Sequence, residues 1–116
     1  MADDRDTTVA QLGDEIAAFI REREWEQFHD PKNLSIAIAT EAAELMEHFR
    51  WIKNEPSRDL VKDPQAREAI GEELADVLAF ALSFANVAGI DITTTLRAKM
   101  QKNARKYPVE QYRGKY

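Results

Sequence analysis

Two pairs of carboxylates are the residues of this chain whose type and spacing are best suited to chemistry. Glu41-x-x-Glu44 and Glu73-x-x-Asp76 lie within its two most apolar helical stretches. The i, i+3 spacing brings both members of a pair to one side of a helix. Four carboxylates brought together repel one another unless cations hold them, and hard divalent cations prefer oxygen ligands. The pattern therefore predicts a magnesium site across a helix pair, with manganese as the alternative ion.

The acidic pairs also have an interpretation that involves no metal. Glu is common in helices, and the four carboxylates are equally able to form salt bridges with basic side chains in a non-enzymatic helical oligomer. The apolar surroundings of Asp76 favour the metal, because a charge there needs strong compensation. A di-iron bundle is disfavoured, since such bundles normally use Glu-x-x-His pairs and His48 follows Glu44 by four positions.

Composition indicates one small domain spanning residues 1–116. Hydrophobic residues make up 44% of the chain, and only four Gly and four Pro favour long helices over a turn-rich β fold. The absence of cysteine fits a reducing compartment, and there is no run of roughly 18 apolar residues. We expect a cytoplasmic protein without a membrane partner, with residues 1–6 disordered and residues 108–116 forming a C-terminal tail.

The charge is unevenly distributed along the chain. Residues 1–76 contain 9 Lys and Arg against 19 Asp and Glu, whereas residues 77–116 contain 7 against 2. An acidic body with a basic last helix suits metal binding on one side and phosphate binding on the other, although opposite charges also help segments pack. The net charge of −5 argues against nucleic acid as a partner.

Capping signals predict an all-α, four-helix bundle-like fold. Polar residues that cap helices precede each apolar periodic stretch, and Gly or Pro follows it. The segment beginning at Asn54 is expected to be a polar loop. The expected helices, given by capping residue and last residue, run from Thr7 or Thr8 to Gln27, from Asn33 to Ile52, from Asp63 to Gly89 and from Asp91 to Tyr107.

Helical periodicity relates the carboxylates to the predicted core. On the second helix, Glu41 and Glu44 lie at the edge of the apolar stripe, while Glu47 points to solvent, as does Glu72 on the third. The third helix is apolar nearly all round, which predicts an oligomer and places Asp76 in a mostly buried wall. The stripe of the second helix comprises Leu34, Ile38, Ala42, Leu45, Phe49 and Ile52.

The predicted metal site indicates hydrolysis of a phosphate compound. Protein-bound magnesium keeps coordination positions open for water or substrate phosphates. The chain has no P-loop, Gly-x-Ser-x-Gly or His-Glu-x-x-His motif, so hydrolysis without a covalent intermediate remains. Trp25 and Trp51 are candidate walls for a base, with core packing as the alternative. Candidate phosphate contacts are Lys99, Lys102, Arg105 and Lys106.

From about Leu12 to Tyr107 the chain resembles the MazG-like all-α nucleoside triphosphate pyrophosphohydrolases. The acidic motif and its flanking segments are similar to those of the dCTP pyrophosphatase branch. Four blocks in order carry this resemblance: Glu24-Trp-Glu-Gln-Phe-His-Asp-Pro-Lys-Asn-Leu34, Glu44-Leu…Phe49-Arg-Trp51, Glu72-Glu-Leu-Ala-Asp76-Val-Leu and Lys99-Met-x-x-Asn103…Lys106-Tyr-Pro108.

The resemblance implies magnesium-dependent cleavage of a nucleoside triphosphate, dCTP or a modified dCTP, to the monophosphate and pyrophosphate. It implies a homotetramer, a dimer of dimers, with sites shared between subunits. The implied metal ligands and catalytic residues are Glu41, Glu44, Glu73 and Asp76. The implied substrate-binding residues are Trp25, His29, Trp51, Phe80, Lys99, Asn103 and Tyr107.

Two positions depart from the pattern of this branch. Phe80 stands where close relatives have Tyr, and Ile16 stands where some have His. Polar groups decide base selectivity more sharply than apolar fit, so the reaction class is better supported than the substrate. Hydrolysis of dUTP or phosphoribosyl-ATP remains an alternative, although Trp25 and Trp51 favour the cytosine branch. For His29, the alternative to substrate binding is a structural role, in which its side chain braces the connector after the first helix.

Overall fold

The computed structural model describes residues 2–115, and these form helices and turns without a β-strand. The predicted all-α class is confirmed. The elements are α1 (Val9–Glu22), a 3₁₀ turn (Glu26–Phe28), α2 (Pro31–Glu47), α3 (Asn54–Leu60), α4 (Pro64–Ala88), α5 (Ile92–Lys106) and α6 (Val109–Tyr112).

Polar side chains cap the N-termini of α1, α4 and α5. Thr8 begins α1 with a capping box, in which its Oγ1 accepts from the Gln11 N–H at 3.1 Å and the Gln11 side chain accepts from the Thr8 N–H at 2.7 Å. Asp63 begins α4, and Gly89 ends it in the left-handed conformation, with φ of 67°. Asp91 begins α5. These boundaries agree with the sequence prediction.

The predicted boundaries between α1 and α2 are wrong. Helix α1 ends at Glu22 rather than near Gln27, because Glu24 adopts a left-handed φ of 55° that interrupts the helix. Helix α2 begins at Pro31 rather than after Asn33. Proline suits the first helical position, where its missing N–H would have no helical partner. The connector between the helices is therefore residues 23–30, and it contains the 3₁₀ turn.

The segment between α2 and α4 also differs from the prediction. Helix α2 ends at Glu47, and turns replace its expected continuation to Ile52. The predicted polar loop at Asn54 is helix α3. Its proline, Pro56, lies in the first turn, where a backbone N–H is not needed for the helix. Consequently Trp51 lies outside α2 and does not extend the face of that helix that carries Glu41 and Glu44.

Helix α4 is the central element, with α1 and α2 packed against it. Helix α5 leaves α4 at an angle of 102°. The radius of gyration is 17.1 Å, whereas a compact domain of this length has about 13 Å. Leu74 and Leu78 of α4 are 48% and 54% exposed in the single chain. Apolar surface of the central helix is thus left uncovered, and the predicted oligomer remains a prediction.

The end segments fall partly outside the described residues. Within residues 2–6 the Asp6 N–H donates to the Asp3 carbonyl at 3.0 Å, and the expected disorder of residues 1–6 stays a prediction. The expected tail, residues 108–116, contains α6, whose Tyr112 ring packs edge-on against Tyr107 with centroids 5.2 Å apart. Within residues 2–115 no single helix is long and apolar enough to cross a membrane; α4 and α5 meet that criterion only together, as a bent pair.

Candidate functional site

The packing of α2 on α4 brings the two acidic pairs together. Carboxylate oxygens of Glu41, Glu73 and Asp76 all lie within 4.8 Å of one another. The Glu44 carboxyl lies close enough to share a proton with Glu41 and with Glu73. Four carboxylates from two helices therefore form one acidic cluster. The side chains of Glu41 and Glu73 are half-buried, whereas Glu44 and Asp76 are exposed, so the prediction of a mostly buried Asp76 is wrong for the single chain.

The acidic cluster is electrostatically strained. Burial raises the pKa of Glu41, and the proton shared with Glu44 and the charges of Glu44, Asp76 and Glu73 raise it further. Burial also raises the pKa of Glu73, as do the neighbouring Glu44 and Asp76. Both shifts oppose ionisation, because charged carboxylates at these positions lose hydration and repel one another.

A hard divalent cation fits this cluster. Glu41 Oε2 is buried and has no hydrogen-bond partner. A buried carboxylate oxygen without a partner lowers the stability of the folded protein unless a ligand binds it. Within residues 2–115 the ion pairs of Lys and Arg involve other acidic residues and leave the cluster unpaired. The donors are all oxygens, the type preferred by magnesium, manganese and calcium. The cluster is thus a candidate metal site.

His48 lies beside the acidic cluster. A shallow cavity of about 240 Å³ is lined by His48 together with Glu44, Glu47 and Glu73. The charge of His48 partly offsets the effects that raise the pKa of Glu73. Glu47 is paired with Arg50 at 3.1 Å and is exposed, as its position on the helix predicted.

An apolar groove begins at the acidic cluster. It has a volume of about 430 Å³ and runs between α1 and α4. Asp76 belongs to both the cluster and the groove, so the two features are contiguous. The groove is lined by Glu15, Ile16, Phe19, Ile20, Trp25, His29, Asp76, Ala79, Phe80 and Ser83.

The turn after α1 holds Trp25 and His29 on the groove. His29 Nδ1 lies 2.8 Å from the Trp25 carbonyl oxygen, which can only accept a hydrogen bond. The proton must therefore be on Nδ1, and neutral His29 keeps Nε2 as an acceptor. The Trp25 ring packs edge-on against Phe19 with centroids 5.9 Å apart. The bracing role predicted for His29 is confirmed, and the same residue lines the groove.

The remaining predicted substrate-binding residues lie away from this groove in the single chain. Trp51 is 80% exposed, with the Arg50 guanidinium 4.4 Å from its ring centroid. Lys99 and Asn103 lie on α5, which diverges from α4, and Tyr107 caps the end of α5. Their assignment to the substrate stays a prediction.

Sequence reasoning missed several groove residues. Ser83 is only 3% exposed and lines the groove beside Phe80. Phe19 also lines the groove, and its place there depends on how α1 is aligned with α4. The available signal for Ser83 was a serine among the mostly apolar residues 77–85 of α4, since buried polar groups usually have a specific partner or role.

A sequence profile described as the MazG-like family matches residues 36–115, which include the whole acidic cluster. The chain belongs to the MazG-like family. The resemblance noted from the sequence is therefore confirmed. A solved structure of a pyrophosphatase from Archaeoglobus fulgidus DSM 4304 superimposes on this MazG-like chain with a TM-score of 0.82 at 33% identity, covering 93% of this chain and 99% of that one.

Curated relatives of this MazG-like chain include mammalian proteins. It is 40% identical over 98 residues to dCTP pyrophosphatase 1 of Bos taurus and 39% identical over 92 residues to dCTP pyrophosphatase 1 of Homo sapiens. The alignments cover 84% and 79% of this chain but only 58% and 54% of the relatives. The chain thus spans somewhat more than half the length of the curated relatives it matches.

The raised pKa values predict how the stability of the metal-free protein depends on pH. Glu41 and Glu73 bind protons more tightly when folded than when unfolded, where Glu has a pKa of about 4.3. The melting temperature should therefore rise as the pH falls through the raised pKa values towards about 4.3. Hydrogen bonds from Thr94 lower the pKa of Asp91, so this residue stabilises the folded state when it is ionised. That stabilisation is lost only when the pH falls further, through the lowered pKa of Asp91.

Calorimetry of the metal-free protein across this pH range tests that prediction. Saturating magnesium should reverse the trend, because the ion competes with protons for the same carboxylates. Glu73→Gln should flatten the metal-free trend, and Glu72→Gln, an exposed neighbour on α4, serves as its matched control. A metal-free melting temperature that rises with pH in this window would contradict the strain assigned to the cluster.

Proposed function

We propose that this protein is a magnesium-dependent nucleoside triphosphate pyrophosphohydrolase that releases pyrophosphate from dCTP or a modified dCTP. The observation that carries the proposal is the position of Asp76, which belongs to the acidic cluster and also lines the apolar groove. A base in the groove would place its phosphates at the cluster. The names of the relatives, pyrophosphatase and dCTP pyrophosphatase 1, support the same reaction.

Glu41, Glu44, Glu73 and Asp76 would hold the cation. When bound, magnesium would neutralise the triphosphate and polarise the attacking water, and manganese has similar ligand preferences. One of these carboxylates would also act as the general base that accepts a proton from the attacking water.

The groove would bind the nucleoside. Trp25 and Phe80 offer aromatic surfaces on which a base can stack, a contact worth about 1–3 kcal/mol per base in single-strand binding proteins. His29 Nε2 offers a hydrogen-bond acceptor. An acceptor favours a base with an exocyclic amino group, such as cytosine, over one with a carbonyl at that position.

A panel of triphosphates tests the substrate assignment. dCTP and 5-substituted dCTP should be hydrolysed with higher kcat/KM than dUTP, and phosphoribosyl-ATP is the rival from other all-α hydrolases. Preference for dUTP or phosphoribosyl-ATP would overturn the cytosine assignment while retaining the reaction class. A role in cleansing or balancing the nucleotide pool, and a cytoplasmic location, remain part of this proposal.

We infer that the active protein is an oligomer, a homotetramer by the family resemblance, in which α5 serves a neighbouring subunit. The divergence of α5 by 102° and the exposed apolar side chains of α4 support this inference. Lys99 and Asn103 would then contact phosphates or sugar in the neighbour's site, with Tyr107 at its border. Trp51, 80% exposed in the single chain, would reach the base in the same way.

Mixing two defective subunits tests the shared site. Asp76→Ala lacks a cation ligand, and Lys99→Ala lacks a phosphate contact; each variant alone should have little activity. Co-refolding them in equal amounts should restore wild-type pairings at about a quarter of the sites. Activity that stays at the level of the separate variants, in mixed oligomers verified by native mass spectrometry, would place Lys99 outside a shared site.

A non-enzymatic oligomer with salt-bridged carboxylates is the second candidate. It is favoured by the excess of basic residues at positions 77–116. Such an assembly should respond to magnesium and sodium only according to ionic strength. A specific cation site should instead give a magnesium-dependent rise in melting temperature at constant ionic strength.

A further inference from the structure

One hydrogen bond joins α1 to α4 above the groove. Asn86 Nδ2 donates to the carbonyl oxygen of Gly13 at 3.0 Å, across 73 positions of sequence. Apart from the carboxyl pair of Glu44 and Glu73, all other side-chain hydrogen bonds within residues 2–115 join positions at most six apart, and the ion pairs there are equally local. This bond is therefore the only side-chain hydrogen bond between α1 and α4 in the described part of the chain.

Gly13 is what allows this link. It is buried inside α1, and a Cβ at this position would lie 3.3 Å from Asn86 Oδ1. Such a contact is tight, so the Asn86 amide would have to shift by a few tenths of an ångström, which would disturb its hydrogen bond to Gly13. Gly13 thus has a packing reason to be a glycine within a helix, although glycine there disfavours the helix by about 1 kcal/mol relative to alanine.

The link also sets which residues face each other across the groove. One and two turns along each helix from the Gly13–Asn86 pair, Ile16 and Phe19 of α1 line the same groove as Ser83 and Phe80 of α4. Apolar contacts are not directional, so aliphatic and aromatic side chains alone would tolerate a slipped alignment. A hydrogen bond has a preferred distance and angle, so it is lost when the two helices slip relative to each other.

We propose that Asn86 and Gly13 are a positioning pair that fixes the alignment of the α1 wall of the groove relative to the carboxylates on α4. The pair thereby determines how a base is presented to the acidic cluster and which bases fit. This inference rests on the proposed function, since the groove wall on α4 ends at Asp76. Neither residue touches the nucleotide; both act through the groove that Ile16 and Phe19 help to form.

Steady-state kinetics of Asn86→Ala, Gly13→Ala and the double variant test the pair. Each single change should raise KM for the best triphosphate about tenfold and reduce discrimination between bases, with a smaller change in kcat and in magnesium dependence. The double variant should be no worse than the worse single one, because both changes remove the same contact. Gly71→Ala is the matched control: its added Cβ on α4 meets nothing within 4 Å.

Asn86→Ser, a milder change, replaces Asn86→Ala if the latter does not fold. Folded variants with wild-type KM and base preference, even with a lower melting temperature, would overturn the proposal and leave the pair a stability element. A second measurement, acrylamide quenching of Trp25 fluorescence, does not require turnover. It is made in a Trp51→Phe background, in which Trp25 is the only tryptophan. If the wild-type protein hydrolyses no triphosphate, the proposed function fails. Independently, if acrylamide quenches Trp25 equally in the wild type and in all variants, the proposal of a positioning pair fails.

Discussion

Replacement of Asp76 by alanine is expected to lower kcat/KM by about 100- to 10,000-fold, the range that corresponds to several kcal/mol of lost stabilisation of the transition state. Asp76 is one of three carboxylates whose oxygens lie within 4.8 Å of one another, and it also lines the groove. Its loss would remove a proposed cation ligand at the point where we expect the phosphates to enter. The measurement is pyrophosphate release at saturating magnesium.

The same replacement should leave the metal-free protein folded and its melting temperature unchanged or higher. The charge of Asp76 raises the pKa of both Glu41 and Glu73, which means that it repels their ionised forms. Glu72→Ala on the same helix, exposed and outside the cluster, should retain wild-type activity. Near wild-type turnover in a folded Asp76→Ala protein would show that Asp76 is not a cation ligand.

Replacement of Trp25 by alanine should raise KM about 5- to 150-fold, as expected for the loss of one base–aromatic contact. The Trp25 ring lines the groove and is 43% exposed, so much of its surface remains available to a base. The acidic cluster lies on α2 and α4 and is not altered, so kcat should change by no more than about threefold. Initial rates over a range of triphosphate concentrations separate the two parameters.

Trp25→Phe is the control for this change, because it keeps an aromatic ring against Phe19. It should recover most of the lost affinity, and His29 should remain hydrogen-bonded, since its partner is the backbone carbonyl at this position. An unchanged KM in the folded alanine variant would mean that the indole packs on α1 and does not bind the base.

Signals confined to a few neighbouring residues were sufficient to predict much of the fold. The caps at Thr8, Asp63 and Asp91 act within one helical turn, and Gly89 ends α4 by its own left-handed conformation. The i, i+3 spacing of the carboxylates is equally local. Their meeting across α2 and α4 could be anticipated because both pairs lie beside apolar stripes, which must pack together.

Features that depend on competing local structures or on tertiary alignment were not predictable in this way. The end of α1 depends on the left-handed φ of Glu24. A positive φ is uncommon for residues other than glycine, so the sequence does not predict it here. The Asn86–Gly13 bond joins residues 73 positions apart, and no periodicity within one helix specifies that alignment. The predicted contact of Trp51 with a base requires a surface that the single chain does not supply.

Product analysis of dCTP hydrolysis tests the proposed reaction most directly. The purified protein would be incubated with dCTP in magnesium or in EDTA, and phosphorus NMR would identify the products. We expect dCMP and pyrophosphate in equal amounts with magnesium and no turnover in EDTA. Release of orthophosphate, equal rates in EDTA, or a folded oligomer that hydrolyses no nucleoside triphosphate would contradict the proposed reaction.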